Sequence, residues 1–154
     1  MALAGLCHNA ALRRAPILMA LLAALVALAA HLPALDAGLV YDDREVIAGN
    51  PLLAPDSAGE WGRLLTSGWW QGPGRDLLWR PLTLATVAVQ QVAGAGPRSL
   101  HAGNLLLHAG VSVLLFLRAR RLIGRDGAAL AAAALFAAHP LTGEAVTLIV
   151  GRAD

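Results

Sequence analysis

The sequence predicts an all-α fragment of a polytopic membrane protein, with about three transmembrane helices and juxtamembrane helices in the first external loop. Of its 154 residues, 57% are apolar and only 14% are charged, whereas a typical soluble domain is about 45–50% apolar and about 25% charged. The mean hydropathy is +0.60, and the apolar residues fall into long runs. These observations exclude a disordered chain and disfavour an ordinary soluble domain.

Charge and cysteine usage exclude further classes of protein. The net charge of +2 is the remainder of twelve arginines, with no lysine, against ten acidic residues. No basic stripe with interleaved aromatic residues occurs, so no nucleic-acid partner is expected. A single cysteine, Cys7, excludes an internal disulfide framework and a cysteine-rich zinc site.

The first apolar run, residues 15–35, predicts transmembrane helix 1. At about 1.5 Å per residue it spans roughly 30 Å, the thickness of the hydrocarbon core. Because Arg13 and Arg14 precede it, residues 1–14 are expected in the cytoplasm. The alternative is a cleaved secretory signal, since Ala27-Leu28-Ala29 resembles a small-residue cleavage site. The run is longer than a usual signal core, which favours the membrane span.

Residues 36–99 predict an external loop that contains a juxtamembrane or re-entrant helix at 77–93. All four tryptophans of the chain lie between positions 61 and 79, and indole rings favour the membrane interface. For Trp69 and Trp70, stacking on a sugar is the alternative interpretation.

The topology depends on whether residues 77–93 cross the membrane. Arg80-Pro81 near the start and Gln90-Gln91 near the end leave only a short apolar core. If the segment does not cross, the arginines of residues 118–126 share the cytoplasmic side with the N-terminus, as the positive-inside rule favours.

The rest of the predicted topology assumes that residues 77–93 do not cross the membrane. Residues 100–117 predict transmembrane helix 2, and residues 118–126 a cytoplasmic loop. Residues 127–154 predict transmembrane helix 3, broken near 139–140, and an outer segment. The break is expected because proline removes a backbone hydrogen bond and clashes with the preceding turn.

On this map the polar residues of interest fall on the outer side of the membrane. They are Asp42, Asp43, Arg80, His101, Asn104, His108, His139, Glu144 and Arg152. Ionisable groups at membrane depth usually face a partner or a wet cavity, so a shared site is one interpretation. Polar contacts that merely satisfy one another between helices are the other.

The spacing of three of these residues adds detail. His101, Asn104 and His108 lie three and four positions apart, so they share one helical face. The two histidines are roughly 10 Å apart on a helix, too far to chelate one ion without further ligands. Motifs of soluble enzymes are absent from the sequence, including a phosphate-binding loop with lysine, G-x-S-x-G and H-E-x-x-H.

Five motifs in order, between positions 40 and 154, resemble one family. They are Tyr41-Asp42-Asp43-Arg44 with Asn50-Pro51, Trp79-Arg80-Pro81-Leu82-Thr83, His101-x-x-Asn104 with His108, His139-Pro140-x-x-x-Glu144-Ala145-Val146, and Gly151-Arg152-Ala153-Asp154. The set resembles the membrane O-mannosyltransferases that act on cadherins and their bacterial relatives with tetratricopeptide repeats, in the GT-C glycosyltransferase superfamily. That family continues with further spanning helices and a repeat domain. The chain therefore resembles an N-terminal fragment, which alone is expected to be inactive.

The resemblance implies transfer of a mannose-like sugar from a polyprenyl-phosphate donor to a hydroxyl group of a protein or glycan, with inversion. The active face is then extracytoplasmic, in a bacterial inner membrane or its equivalent, and the lipid bilayer is a partner. In GT-C enzymes an aspartate of the first external loop is the general base, a position that Asp42 or Asp43 matches.

The same resemblance assigns the other polar residues to the donor phosphate or the substrate: Arg80, His101, Asn104, His108, His139, Glu144 and Arg152. The resemblance specifies no cofactor, and a divalent metal held by Asp42 and Asp43 is an alternative. The aspartates are alternatively a solvated loop start, and Arg80 alternatively extends only to the interface.

Two other functional classes compete with the enzyme. One is a non-catalytic membrane anchor or scaffold of a tetratricopeptide-repeat protein. The other is a transporter, which is disfavoured because the spans carry no ionisable residues on the cytoplasmic side of His108.

Overall fold

The computed structural model describes residues 2–70 and 78–153, and helices make up most of both ranges. No strand occurs in these two ranges, so the all-α prediction is confirmed there. Leu77, the first residue of the predicted helix 77–93, lies outside the described residues. So does Asp154, the last residue of the predicted segment 127–154. The α-helices are α1 (Ala2–His31), α2 (Ala58–Thr66), α3 (Pro81–Val92), α4 (Pro97–Ile123), α5 (Asp126–Ala137) and α6 (Thr142–Thr147).

Short helical segments of other types connect the α-helices. Three are 3-10 turns, at Leu32–Asp36, Pro51–Leu53 and Val150–Ala153. A single π-helical turn at Arg44–Ala48 follows the Asp42-Asp43 pair directly. Such turns are often found at functional sites.

Two stretches of helix are long and apolar enough to cross a membrane. These are Ala15–Asp36 and Pro97–Ile123, whereas Asp126–Ala137 is apolar but shorter. They fit the membrane fragment that the composition predicts. The number of spans and the side on which each loop lies stay predictions.

The chain divides into two compact units. The helical unit comprises Met1–Leu32 and Leu105–Thr142, and the loop unit comprises Pro33–Asn104 and Gly143–Asp154. Helix α4 therefore contributes residues to both, with His101 and Asn104 in the loop unit and His108 in the helical unit.

Small side chains form the buried contacts of the helical unit. One cluster is built around Phe116, and the second contains only alanines. Alanine lets helices approach closely, the packing favoured in lipid. Large residues such as Leu106, Leu114 and Leu135 are exposed, as expected for surfaces that contact acyl chains. The buried alanines are Ala23, Ala27, Ala109, Ala119, Ala129, Ala133 and Ala137.

The loop unit has a larger and more varied core. Helix α3 buries Leu84, Val87 and Ala88, three residues that share one face. They pack with side chains from residues on either side of them in sequence: Val46, Ile47, Leu53, Leu64, Trp69, Leu100, Ile149 and Val150. Gly94, with φ of +80°, ends α3 in the left-handed conformation that glycine adopts without strain. The core thus holds Ile149 and Val150 against residues 46–100.

Candidate functional site

Asp42 and Asp43 are neighbours in sequence but have opposite environments. Asp42 is exposed, whereas Asp43 is 0% exposed. Tyr41, directly before them, has φ of +47°, a left-handed conformation that costs a non-glycine residue energy and is frequent at functional sites. The left-handed residue Tyr41 and the π-helical turn Arg44–Ala48 therefore flank the two aspartates.

Asp43 binds the backbone at the far end of the chain. Its Oδ2 accepts a hydrogen bond from the Ile149 N–H at 3.2 Å, and its Oδ1 accepts one from the Val150 N–H at 2.9 Å. A carboxylate that accepts backbone N–H groups makes charge-assisted bonds, stronger than neutral ones. Asp43 therefore anchors residues 149–150, and its oxygens are directed away from solvent.

Asn104 and Arg152 hold the same segment from another direction. The Asn104 Nδ2 donates to the Leu148 carbonyl, and the Arg152 Nε donates to the Asn104 Oδ1 at 2.8 Å. Arg152 also donates to the Leu100 carbonyl at 3.0 Å and to the Thr86 hydroxyl at 3.2 Å. Burial lowers the pKa of Arg152 below its usual value. Asp43, Asn104 and Arg152, together called the clamp, fix the position of residues 148–152.

Gly151 explains how closely this segment packs. A Cβ on Gly151 would lie 2.8 Å from both the Ala145 Cα and the Glu144 carbonyl oxygen. Only glycine permits this approach of two backbones. The clamp and Gly151 together allow the 3-10 turn Val150–Ala153 to pack closely against α6.

Two cavities lie beside the clamped segment, both within the loop unit. The smaller has a volume of about 200 Å³ and is lined by Asp42, Trp69, Trp70, Leu78, Arg80, Glu144, Leu148, Val150 and Gly151. The larger has a volume of about 530 Å³ and is lined by Val40, Tyr41, Asp42, Gly143, Glu144, Thr147 and Leu148. Asp42, Glu144 and Leu148 belong to both linings, so the Asp42 carboxylate stands where the cavities meet.

Arg80 gives the smaller cavity a positive group. Its guanidinium carbon lies 5.3 Å from the centre of the Trp69 ring, a cation–π contact. Trp69 is buried, and its backbone N–H donates to the Leu78 carbonyl at 2.6 Å. Trp79, by contrast, is 65% exposed, and its indole N–H donates to the Leu65 carbonyl at 2.9 Å. Trp69 is thus part of the cavity wall, while Trp79 presents its ring to the surroundings.

The nine polar residues predicted from the sequence fall into three groups. Asp42, Arg80 and Glu144 line the cavities, and Asp43, Asn104 and Arg152 form the clamp. The three histidines are absent from both linings. His101 is fully buried, and neither ring nitrogen has a hydrogen-bond partner among the described residues.

Of the predicted site residues, His108 and His139 belong to the helical unit. His108 is buried, and its Nε2 lies 3.0 Å from the Ala137 carbonyl oxygen. His31 brings its own Nε2 within 3.1 Å of the same oxygen, an arrangement that sequence reasoning missed. His139 is exposed, and its Nδ1 accepts a hydrogen bond from the Leu141 N–H. Tyr41 and Thr147 were also missed; only proximity to Asp42 and Glu144 in sequence marks them.

Within residues 2–70 and 78–153, no three His, Cys, Asp or Glu side chains are grouped as they would be around a metal ion. Both oxygens of Asp43 already accept backbone N–H groups. A divalent metal shared by Asp42 and Asp43 stays a prediction.

Similar proteins have been named for their activity. Protein O-mannosyl-transferase Tmtc2 of Drosophila melanogaster is 41% identical over 131 residues, which cover 80% of this chain and 14% of that protein. Human protein O-mannosyl-transferase TMTC2 is 36% identical over 142 residues, covering 87% of this chain and 16% of that protein. Human TMTC4 is 35% identical over 141 residues, covering 77% and 18%.

This chain therefore spans only about a seventh of the length of the relatives it matches. No family model matches it, and no solved structure matches it. The relationship to membrane O-mannosyltransferases that the five motifs predict is confirmed by these homologues. Together with the two candidate membrane helices, they support an integral membrane protein.

Proposed function

Because the chain is a homologue of the protein O-mannosyl-transferases, we propose that it carries catalytic residues of an integral-membrane mannosyltransferase. The enzyme moves mannose from a polyprenyl-phosphate donor to a hydroxyl group of a protein or glycan on the extracytoplasmic face. The observation that carries the proposal is the position of Asp42, an exposed carboxylate common to two adjoining cavities. Its neighbour Asp43 is fully buried and already bound to the backbone.

Asp42 acts as the general base. The acceptor oxygen attacks the anomeric carbon of the donor sugar while the Asp42 carboxylate takes the hydroxyl proton. A new carbon–oxygen bond forms on one face of the sugar as the bond to the phosphate oxygen breaks on the other, so the configuration inverts. The products are the O-mannosylated acceptor, protonated Asp42 and the polyprenyl phosphate.

Arg80 stabilises the leaving group. Negative charge grows on the phosphate oxygen as the bond to the sugar breaks, and a guanidinium beside it lowers the energy of the transition state. The contact with the Trp69 ring restricts the guanidinium before the donor arrives. The smaller cavity therefore receives the sugar-phosphate end of the donor, with the rings of Trp69 and Trp70 as apolar walls for the sugar.

The clamp supports this chemistry indirectly. Residues 148–151 supply Leu148, Val150 and Gly151 to the wall of the smaller cavity, and Asp43 and Asn104 hold the backbone of that segment. We assign Asp43, Asn104 and Arg152 as positioning residues, because their polar atoms are bound within the chain.

The test compares Asp42→Asn with Asp56→Asn in membranes that contain the full-length protein. Transfer of radiolabelled mannose from the polyprenyl-phosphate donor is measured at equal protein level. Asp42→Asn keeps the size of the side chain but removes its basicity, so transfer should fall by roughly 10² to 10⁴. Asp56 is also exposed and lines neither cavity, so its variant should retain activity. Unchanged transfer in Asp42→Asn would overturn the proposal and favour a non-catalytic membrane anchor.

A further inference from the structure

The two cavities that meet at Asp42 differ in charge. Arg80 lines the smaller one, in addition to Asp42 and Glu144. In the larger cavity the charged lining residues are the two acids, and the polar ones include Tyr41 and Thr147. A volume of about 530 Å³ lies within the range of ligand-binding pockets. The larger cavity is thus an acidic pocket of ligand size.

This difference in charge assigns one reactant to each cavity. A phosphate group is repelled by two carboxylates and attracted by a guanidinium, so the anionic donor belongs with Arg80. The reactant that enters the larger cavity is then the neutral hydroxyl compound. Asp42 borders both cavities and can receive the hydroxyl proton while the sugar carbon lies on the other side.

We infer that the larger cavity binds the acceptor as a peptide segment and that Glu144 selects hydroxyl residues flanked by cationic rather than anionic side chains. This inference rests on the proposed mannosyltransferase activity and adds the acceptor class to it. Glu144 is exposed, so its carboxylate is accessible to an incoming side chain. A lysine beside the acceptor hydroxyl is attracted by Glu144 and Asp42, whereas an aspartate is repelled by both.

Gly143 makes room for this acceptor. It lines the larger cavity but is absent from the lining of the smaller one. A Cβ built on Gly143 meets no atom within 4 Å, so the start of a side chain fits there without displacing the backbone. Gly143 therefore offers a way to obstruct the acceptor cavity alone.

The first experiment measures kcat/KM for three acceptor peptides with the full-length protein in membranes. The peptides share one threonine and differ only in the two flanking residues, which are Lys, Gln or Asp. The Lys peptide should exceed the Asp peptide by roughly fivefold, the scale of exposed charge pairs, and the ratio should shrink at high salt. In Glu144→Gln the ratio should fall, because Asp42 alone then remains to attract the lysine and repel the aspartate, whatever happens to the overall rate.

The second experiment uses Gly143→Leu, with Gly62→Leu as its control. Gly62 is also a helical glycine with open space around its Cβ position, and it lines neither cavity. Gly143→Leu should raise the KM for all three peptides by roughly tenfold while the KM for the donor changes little. Gly62→Leu should alter neither constant.

The outcomes separate the inference from the proposed function. Transfer to the Gln peptide with no Lys-to-Asp preference, or with a preference that Glu144→Gln does not reduce, overturns the acceptor assignment and does not affect the proposed mannosyltransferase activity. An increase in donor KM in Gly143→Leu also overturns the assignment. Absence of transfer to every peptide overturns the acceptor assignment, and the mannosyltransferase is overturned only if the Asp42→Asn test in membranes fails as well.

Discussion

Polar side chains in the two units have different partners. In the helical unit they bind one another and the backbone. His31 and His108 both contact the Ala137 carbonyl at the end of α5, and Ser112 donates to the His108 carbonyl. In the loop unit, Asp42 and Glu144 are exposed and line cavities.

This difference shows how a structural or a chemical role can be assigned to a polar residue in an apolar sequence. A histidine at a helix end is as well suited to satisfying a carbonyl as to binding a substrate. Asp42 and Asp43 show the same ambiguity within one unit, because one is exposed and the other is fully bound. Burial and hydrogen-bond partners, rather than residue type, distinguish the structural role from the chemical one.

The largest expected effect sharpens the contrast between the adjacent aspartates. Asp42→Asn should reduce sugar transfer by roughly 10² to 10⁴ and leave thermal unfolding nearly unchanged, because Asp42 is exposed. Parallel measurement of transfer and of the melting temperature in detergent checks this. A large drop in melting temperature for Asp42→Asn would contradict the division of roles.

Asp43→Ala should instead destabilise the protein. It leaves the N–H groups of Ile149 and Val150 without their acceptor, and each unsatisfied buried donor costs about 1–3 kcal/mol. We therefore expect the free energy of unfolding to fall by about 2–5 kcal/mol, with activity lost in consequence. Unfolding of the purified chain in detergent measures this, and normal stability in Asp43→Ala would disprove the anchoring role.

Variants of His31 and His108 test how much their contacts with the Ala137 carbonyl stabilise the helical unit. Since His31 and His108 contact the same carbonyl oxygen, either one alone keeps it satisfied. His31→Phe and His108→Phe should each cost about 1 kcal/mol, and the double variant more than the sum of the two. His139→Phe serves as the control because His139 is exposed. A double-mutant cycle on unfolding free energies gives the answer, and strict additivity would argue against a shared acceptor.

Two ion pairs give the smallest effects. Arg98 and Asp36 in the loop unit are separated by 3.6 Å with both side chains 75% exposed, so Arg98→Gln should change stability by less than about 0.5 kcal/mol. Arg120 and Asp126 in the helical unit are 2.6 Å apart with side chains 41% and 34% exposed. Arg120→Gln should cost more, roughly 1 kcal/mol. Thermal unfolding of both variants measures these costs. Equal losses of stability in Arg98→Gln and Arg120→Gln would contradict the expected difference between the two ion pairs.

The fold class could be predicted from the sequence because composition and long apolar runs depend only on local order along the chain. The candidate site was harder to predict. Helical spacing places His101, Asn104 and His108 on one face, but it does not reveal that Asn104 binds the Leu148 carbonyl while His108 contacts Ala137. These partners come from other elements, and nothing in the spacing identifies them.

The same limit applies to the aspartates. Two adjacent carboxylates after an apolar run are equivalent in a sequence pattern, and the left-handed turn at Tyr41 is not encoded by a glycine. Their difference arises from residues 149–150, whose backbone N–H groups donate to Asp43. Glu144 and Arg80 could be identified as candidates, but their places in two cavities required the packing of the loop unit.

The separation along the chain between Asp43 and its partners has a consequence for synthesis. Asp43 binds the Ile149 N–H, 106 residues later. At about 5–20 residues per second, the ribosome needs roughly 5–20 s to reach the second partner after making the first. Throughout this interval the Asp43 carboxylate lacks its native N–H donors, and the wall formed by Leu148, Val150 and Gly151 does not yet exist. The smaller cavity therefore forms only after the helices between Asp43 and Ile149 have been made.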